Sequence, residues 1–363
     1  MDDIIEIVNV TRPAAWLPWA VQYFFLIGIS VACLFLALPG LALARPRWRR
    51  IGGLALWGAL ACGLAAPVAL LADLHQPGRF WRFYAHPNLH SWMAIGSFLI
   101  PGYLAGLLLF TWAALRPALA GTPGAGLVAR LQRLAALGGV AAPGLRALGA
   151  ALAGGFGGGV LLYTGMEVMV VRARPLWNTP LLPVQFAVTA LAGALGLVLV
   201  LDRLPAPRDP GSTAGLSRMA AVTLLIALAL DGAWLISGLT GLDPAAAAAL
   251  VSLAGLRAWE MTAVWTVGAT LVAAAVALAA PVRAGWLVGL LALHVCWMFR
   301  WSLFIGGQSV PKTGAGMYDY HLPLGHDGLL GIAGVAGLCV FLLIALGALL
   351  PLAGPSEPAT GRA

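Results

Sequence analysis

The stretch Ile51-Gly-Gly-Leu-Ala-Leu-Trp-Gly-Ala-Leu-Ala-Cys-Gly-Leu-Ala-Ala-Pro-Val-Ala-Leu-Leu-Ala72 decides the fold. It carries no charge, and a helix needs about 20 such residues to cross a bilayer. Its apolar residues are continuous rather than alternating, which excludes a barrel strand. Arg45-Pro-Arg-Trp-Arg-Arg50 precedes it, and Asp73-Leu-His-Gln-Pro-Gly-Arg-Phe-Trp81 follows it. A basic cluster marks one membrane face. The other flank is unusual, because a simple connector has no structural need for an acid, a histidine, an arginine and two aromatics in nine residues.

The same pattern recurs along the chain. Of the 363 residues, 61% are hydrophobic and 9% charged, with a mean hydropathy of +0.92. A soluble domain would carry roughly a quarter charged residues. Nine runs are long enough to span, at 17–43, 51–72, 92–115, 147–171, 181–201, 219–240, 258–280, 285–306 and 328–350. The expectation is an all-α, polytopic membrane helix bundle of about nine transmembrane helices, forming one integral membrane domain over 1–363. Its expected place is the inner (cytoplasmic) membrane, crossed many times.

With the N-terminus outside, 13 of the 21 basic residues fall in inside connectors and eight outside. The positive-inside rule then gives N-out/C-in. The net charge of +8 reads as topology and headgroup contact, not nucleic-acid binding. Met1-Asp-Asp-Ile-Ile-Glu6 lacks the basic region of a cleaved signal peptide. In the connector 116–146, Leu127-Val-Ala-Arg-Leu-Gln-Arg-Leu134 has the spacing of an interfacial amphipathic helix. The segment 202–218 reads as a Pro-rich polar loop.

Cys33, Cys62, Cys296 and Cys339 lie inside apolar runs without CxxC spacing, so neither an iron–sulfur cluster nor a zinc site is expected. His294 is the one histidine well inside a span, and a bilayer haem usually needs two ligands on facing helices. No haem is expected. The remaining five histidines, His75, His86, His90, His321 and His326, all fall on the outside set of connectors.

Ionisable groups at membrane depth are functional by default. They are Glu167, Asp231, Glu260 and Arg300, read as candidates for proton transfer. Tyr163 and Glu167 are four apart and share a helix face. Asp231 and Arg300 suit either an interhelical ion pair or a proton path, and Arg257 with Glu260 suits a local pair. Gly154-Gly-Phe-Gly-Gly-Gly159 suits either a broken helix or close packing of small residues.

Several of these segments resemble one family. Asp73–Trp81 resembles the Asp-Leu-Gly-Arg-Pro-x-Arg-Phe-Trp connector of the NrfD/PsrC family, the membrane subunits of polysulfide-reductase-like enzymes. Tyr163-Thr-Gly165 with Arg174-Pro-Leu-Trp-Asn-Thr-Pro180 is similar to that family's fourth helix and following loop. Trp19-Ala-Val-Gln-Tyr-Phe-Phe-Leu-Ile-Gly28 looks like its opening helix, and Arg300 with Gly306-Gly-Gln308 like its late arginine and turn. The tail from Gly307 to Gly328 looks most like the tetrathionate-reductase branch.

The resemblance implies a membrane subunit that exchanges electrons between the quinone pool (menaquinone or ubiquinone) and a four-cluster ferredoxin-like iron–sulfur subunit, which serves a molybdopterin catalytic subunit. It implies a quinone site near the outer face, held by Tyr163, Tyr23, Asp73, His75 and Arg79. Phe80, Trp81, Arg82 and Trp177 would form the docking face, since aromatics and arginine are enriched at interfaces. Protons from a quinol would pass to Glu167, Asp73 or His75. Three positions depart from the family: His75-Gln76 replaces Gly-Arg, Glu167 stands where an apolar or hydroxyl residue is common, and the ninth span exceeds the usual eight. The alternatives are a secondary transporter with a midplane polar site, built from Glu167, Asp231 and Arg300, or a purely structural membrane anchor.

Overall fold

The computed structural model describes residues 14–120, 126–136, 142–204, 208–310 and 320–350. Helices account for nearly all of them. Among the described residues, nine helices are long and apolar enough to cross a membrane, and no strand occurs. The long helices are α1 (Pro18–Leu41), α2 (Arg49–Asp73), α4 (Trp92–Ala120), α6 (Pro143–Met169), α7 (Leu182–Leu201), α8 (Pro210–Leu239), α10 (Arg257–Ala279), α11 (Gly285–Trp301) and α13 (Leu329–Leu349). Shorter pieces lie between them: α3 (Arg82–Ala85), α5 (Gly126–Ala135), α9 (Pro244–Leu253) and α12 (Gly307–Ser309).

The expected spans are all present, and two of the connectors are partly helical. α8 begins at Pro210 rather than 219, because Asp209 caps it: its carboxylate accepts the Gly211 amide at 3.0 Å and the Ser212 hydroxyl. Proline at the first helical position suits the start. α9 appears inside the connector between the sixth and seventh expected spans. Asp243 caps it through the amides of Ala245 and Ala246, and the alanine run that follows has the highest helix propensity.

α5 forms where the amphipathic spacing places it. Its Leu127 and Leu134 are exposed, while Gln132 turns inward and donates to the Leu349 carbonyl at 3.0 Å. Arg12, Lys312 and Arg362, used in the charge count, and the stretch 311–319 lie outside the described residues.

α1 is the most enclosed span. It packs along α2 and also touches α6, α7, α11 and α13; α4 packs along α6, and α7 along α11. α6 runs unbroken through the glycine-rich stretch. There, a Cβ on Gly157 would press on Val31 and the Tyr103 ring, and one on Gly159 on Leu99. Gly157 and Gly159 therefore serve close packing, while a Cβ on Gly155 or Gly158 would meet nothing within 4 Å; the helix break expected of a transporter is absent. α13 is the most peripheral helix, held to α2 by Trp57, whose indole donates to the Leu343 carbonyl at 2.8 Å.

Two polar ties fasten the core. Ser30 on α1 donates to the Ala59 carbonyl of α2 at 2.6 Å and meets the Tyr103 hydroxyl of α4 at 2.7 Å. At the end where α2 begins and α7 finishes, Arg50 forms an ion pair with Asp202 at 2.8 Å. The buried Asp202 also accepts the Thr213 hydroxyl at 2.6 Å. The opposite end, where α1, α4 and α7 begin and α2 and α6 finish, carries the candidate site.

Candidate functional site

Tyr23 on α1 and Tyr163 on α6 point at one another, and their hydroxyls are hydrogen-bonded. Both rings are buried, at 1% and 3% exposure. Backbone packing aims them. Gly96 of α4 lies flat against the Tyr163 ring, and a Cβ there would come within 2.4 Å of it. Gly165 permits α6 to approach the Pro183 backbone at the start of α7, which a Cβ would meet at 2.3 Å. The Tyr-Thr-Gly triplet is thus a phenol followed by the contact that fixes its height.

Two carboxyl groups complete the cluster. Glu167, one turn beyond Tyr163, is partly buried and lies within electrostatic reach of both tyrosines and of Asp73. Asp73 ends α2 beside the first turn of α1. That turn has no side-chain cap of its own, and its amides need acceptors. The Asp73 carboxyl lies beside Leu17 and Ala20 of that turn, where the helix dipole favours negative charge. Its Oδ1 is buried without a hydrogen-bond partner among the described residues, as is Oε1 of Gln22 on α1. Unpaired buried acceptors are costly in a folded protein and mark places where a ligand can supply the missing donor.

Behind the cluster stands a support whose two halves the sequence offers as separate motifs, with no sign of their contact. Gln308 accepts the amides of Ala15 and Trp16 at 2.7 and 2.9 Å. Its own amide donates to the carbonyls of Trp16 and Phe304, at 2.7 and 3.0 Å. Arg174 donates to the carbonyls of Gln308 and Val310, at 2.9 and 3.0 Å. The Trp177 indole donates to the Leu303 carbonyl at 2.6 Å and packs on Trp16 and Phe304. Leu303 lies in a wider π turn, Ser302–Gly306, which continues α11. Such turns release carbonyls from the helical ladder. Gly307 leaves room for the indole, since a Cβ would sit 2.1 Å from its nitrogen. The Arg174–Pro180 and Gly306–Gln308 motifs, remote in sequence, therefore form one clamp on the entry to α1.

The remaining sequence candidates sort by position. His75 lies near Asp73, within electrostatic reach, and is exposed. Arg79 is exposed on the turn Pro77–Arg79, with no side-chain partner among the described residues. Phe80 and Trp81 are about half exposed, and Arg82 lies over the Trp81 ring. Trp177 departs from expectation. At 3% exposure it is a packing residue of the clamp and not part of a docking face.

Arg300 and Asp231 form no ion pair with each other. Arg300 is fully buried and donates to the Thr189 hydroxyl and, at 2.9 Å, to the Phe186 carbonyl. Asp231 accepts from Gln185 at 2.9 Å. Glu260 is exposed in the first turn of α10, and among the described residues no ion pair joins it to Arg257. His294 accepts the Trp265 indole N–H at 2.7 Å, which accounts for its place inside a span. Among the described residues, no group of three or more metal-ligating side chains occurs.

The fold and site define a multi-pass helical membrane protein with a buried tyrosine–carboxylate cluster at one end. The chain belongs to the NrfD family: the family model described as "Polysulphide reductase, NrfD" matches residues 7–312. It is 36% identical over 349 residues to the C subunit of tetrathionate reductase from Salmonella typhimurium, covering 94% of each protein. It is 30% identical over 217 residues to the C subunit of selenate reductase from Mesobacillus selenatarsenatis, covering 53% of this protein and 49% of that one. With the C chain of polysulfide reductase from Wolinella succinogenes it shares 29% over 188 residues, 49% of this protein and 55% of that one.

Proposed function

We propose that this chain is the membrane subunit of a molybdopterin/iron–sulfur oxidoreductase and exchanges electrons between the quinone pool and a partner iron–sulfur subunit. The observation that carries the reading is the Tyr23–Tyr163 hydroxyl pair beside two carboxyl groups, one with an unpartnered buried oxygen. Similarity along the whole chain to the C subunit of a tetrathionate reductase supports it.

A quinol has two hydroxyl donors and a flat apolar ring. One of its oxygens would replace a tyrosine as hydrogen-bond partner of the other, which costs little because the interaction is exchanged rather than lost. Asp73 and Glu167, on the same side of the bundle as the tyrosines, would accept the protons released as electrons depart. His75, at the exposed rim, passes them to water. A quinone, when bound, supplies the two-electron chemistry. Tyr23 and Tyr163 orient it, and α1, α4 and α6 exclude water around it.

Phe80, Trp81 and Arg82 form the docking face beside this site. With the N-terminus outside, this face and the site lie on the outer side of the inner membrane. There a four-cluster iron–sulfur subunit takes the electrons one at a time.

The test compares liposomes holding the complex with and without this chain. Removing the chain should abolish quinol-linked turnover of the terminal substrate and spare turnover driven by a reduced viologen dye, which delivers electrons to the partner subunits directly. Equal loss of both activities would favour a purely structural anchor.

A further inference from the structure

A cavity of about 400 Å³ lies between α7, α8, α10 and α11, on the other side of the 172–181 connector from the tyrosine pair. Leu176 and Thr179 of that connector line it, while Trp177 between them faces Trp16 and Phe304. The proposed function makes no use of this cavity. Three aromatic side chains wall it, Trp234, Trp259 and Phe299, and Asp231 with Gln185 forms its principal polar group.

The polar group is built and incompletely satisfied. Gln185 donates to Asp231 Oδ1 at 2.9 Å, and no cation pairs with the carboxyl among the described residues. Oδ2 takes no hydrogen bond there and is not sealed from the cavity. The chain of contacts runs on into the protein. Thr189 donates to the Gln185 carbonyl at 2.6 Å and accepts from Arg300. The Arg300 guanidinium lies 5.3 Å from the centre of the Phe299 ring, itself a wall of the cavity.

This arrangement selects a ligand. The volume is at the small end for ligand pockets, and it holds one or two fused rings with a few tail carbons but not a two-chain phospholipid. Flat aromatic walls favour a flat apolar ring. The open carboxyl oxygen asks for a hydroxyl donor, and the guanidinium against Phe299 disfavours an organic cation. We propose that this cavity is a second binding site for a membrane-soluble hydroxylated aromatic ring of the quinol class, its hydroxyl donating to Asp231 and its ring held by Trp234, Trp259 and Phe299. It deepens the quinone reading of the protein but stands on residues separate from the tyrosine cluster.

The experiment uses the purified complex and a hydroquinone carrying a short diazirine tail, photolysed and mapped by peptide mass spectrometry. Label should fall on peptides bearing Trp234 or Trp259 as well as on those flanking Tyr163. Asp231→Leu should cut the first set about tenfold, the loss of one buried hydrogen bond to a charged group, and leave the second set unchanged. Ala263→Trp, which fills the cavity from α10, should do the same. In the wild type, the dimethyl ether of the probe should label the first set about tenfold less than the hydroquinone, so the proposal remains testable if a variant fails to fold. Label confined to the Tyr163 peptides, an ether that labels as strongly, or a retained lipid blocking the cavity would overturn the second site. Label confined to the Trp234 and Trp259 peptides would instead count against the tyrosine site.

Discussion

The Tyr23 hydroxyl on the first span and the Tyr163 hydroxyl on the fourth, 140 residues later, are hydrogen-bonded to each other inside the bundle. Two phenols facing one another in an apolar interior form a polar contact between the first and fourth spans. Because each partner relies on the other, Tyr23→Phe and Tyr163→Phe should be strongly non-additive: the double variant should lose hardly more quinol-linked turnover than the worse single one. Multiplicative losses would show that the tyrosines act separately.

Gly96→Ala tests the aim of Tyr163 without altering any group that bonds a ligand. Its Cβ would lie 2.4 Å from the ring, so the phenol must shift, and a misplacement near 1 Å can cost about 100-fold in rate. Quinol-linked turnover should fall at least tenfold while dye-linked turnover persists. An unchanged quinol rate would mean the ring position is immaterial.

Removing the Gln308 side chain should destabilise rather than merely slow the protein. Gln308→Ala leaves the part-buried Ala15 and Trp16 amides without their acceptor, at about 1 kcal/mol for each bond lost. The detergent-solubilised chain should melt several degrees lower, and Gln308→Glu, which keeps the acceptor, should recover part of the loss. A melting temperature unchanged by the alanine variant would show that Gln308 does not hold the entry to α1.

At the opposite end, Arg50→Leu should cost about 3 kcal/mol, the expected result of stranding the buried Asp202. Thermal melting measures the loss. Adding Asp202→Leu should restore most of it, and the single variant that still folds should keep its quinol-linked rate per assembled complex. A lower rate at full assembly would mean this ion pair reaches the site.

The exposed Phe80 and Trp81 offer a test of the docking face. Replacing both with serine should weaken co-purification of the partner subunits without lowering the melting temperature of the isolated chain. Trp177, buried in the clamp, should show the reverse pattern on substitution. Full co-purification of the Phe80 and Trp81 variant would move the docking face elsewhere.

How much of this was legible in the sequence differed by level. The spans were, because a lipid-crossing helix must be apolar along its full length, and that constraint is local. Tyr163 with Glu167 was legible from four-residue spacing, and Tyr23 only through its resemblance to a known opening helix. Their contact was not, because nothing local encodes which faces of α1 and α6 meet. Gln308 was singled out only as part of a motif that resembles a known turn; its bonds to Ala15 and Trp16 were not legible for the same reason. Trp177 was misread, since a tryptophan in a connector resembles an interfacial anchor unless the π turn that receives its indole is known. The cavity around Asp231 needed four helices to come together, which no periodicity reports.

The most direct measurement of the central claim is single-turnover oxidation of a quinol by the intact complex carrying Tyr163→Phe, with viologen-driven turnover measured on the same sample. Placement of the quinone by the tyrosine pair predicts at least a tenfold slower quinol step with the viologen rate and subunit composition unchanged. A quinol step as fast as that of the unaltered complex would contradict it.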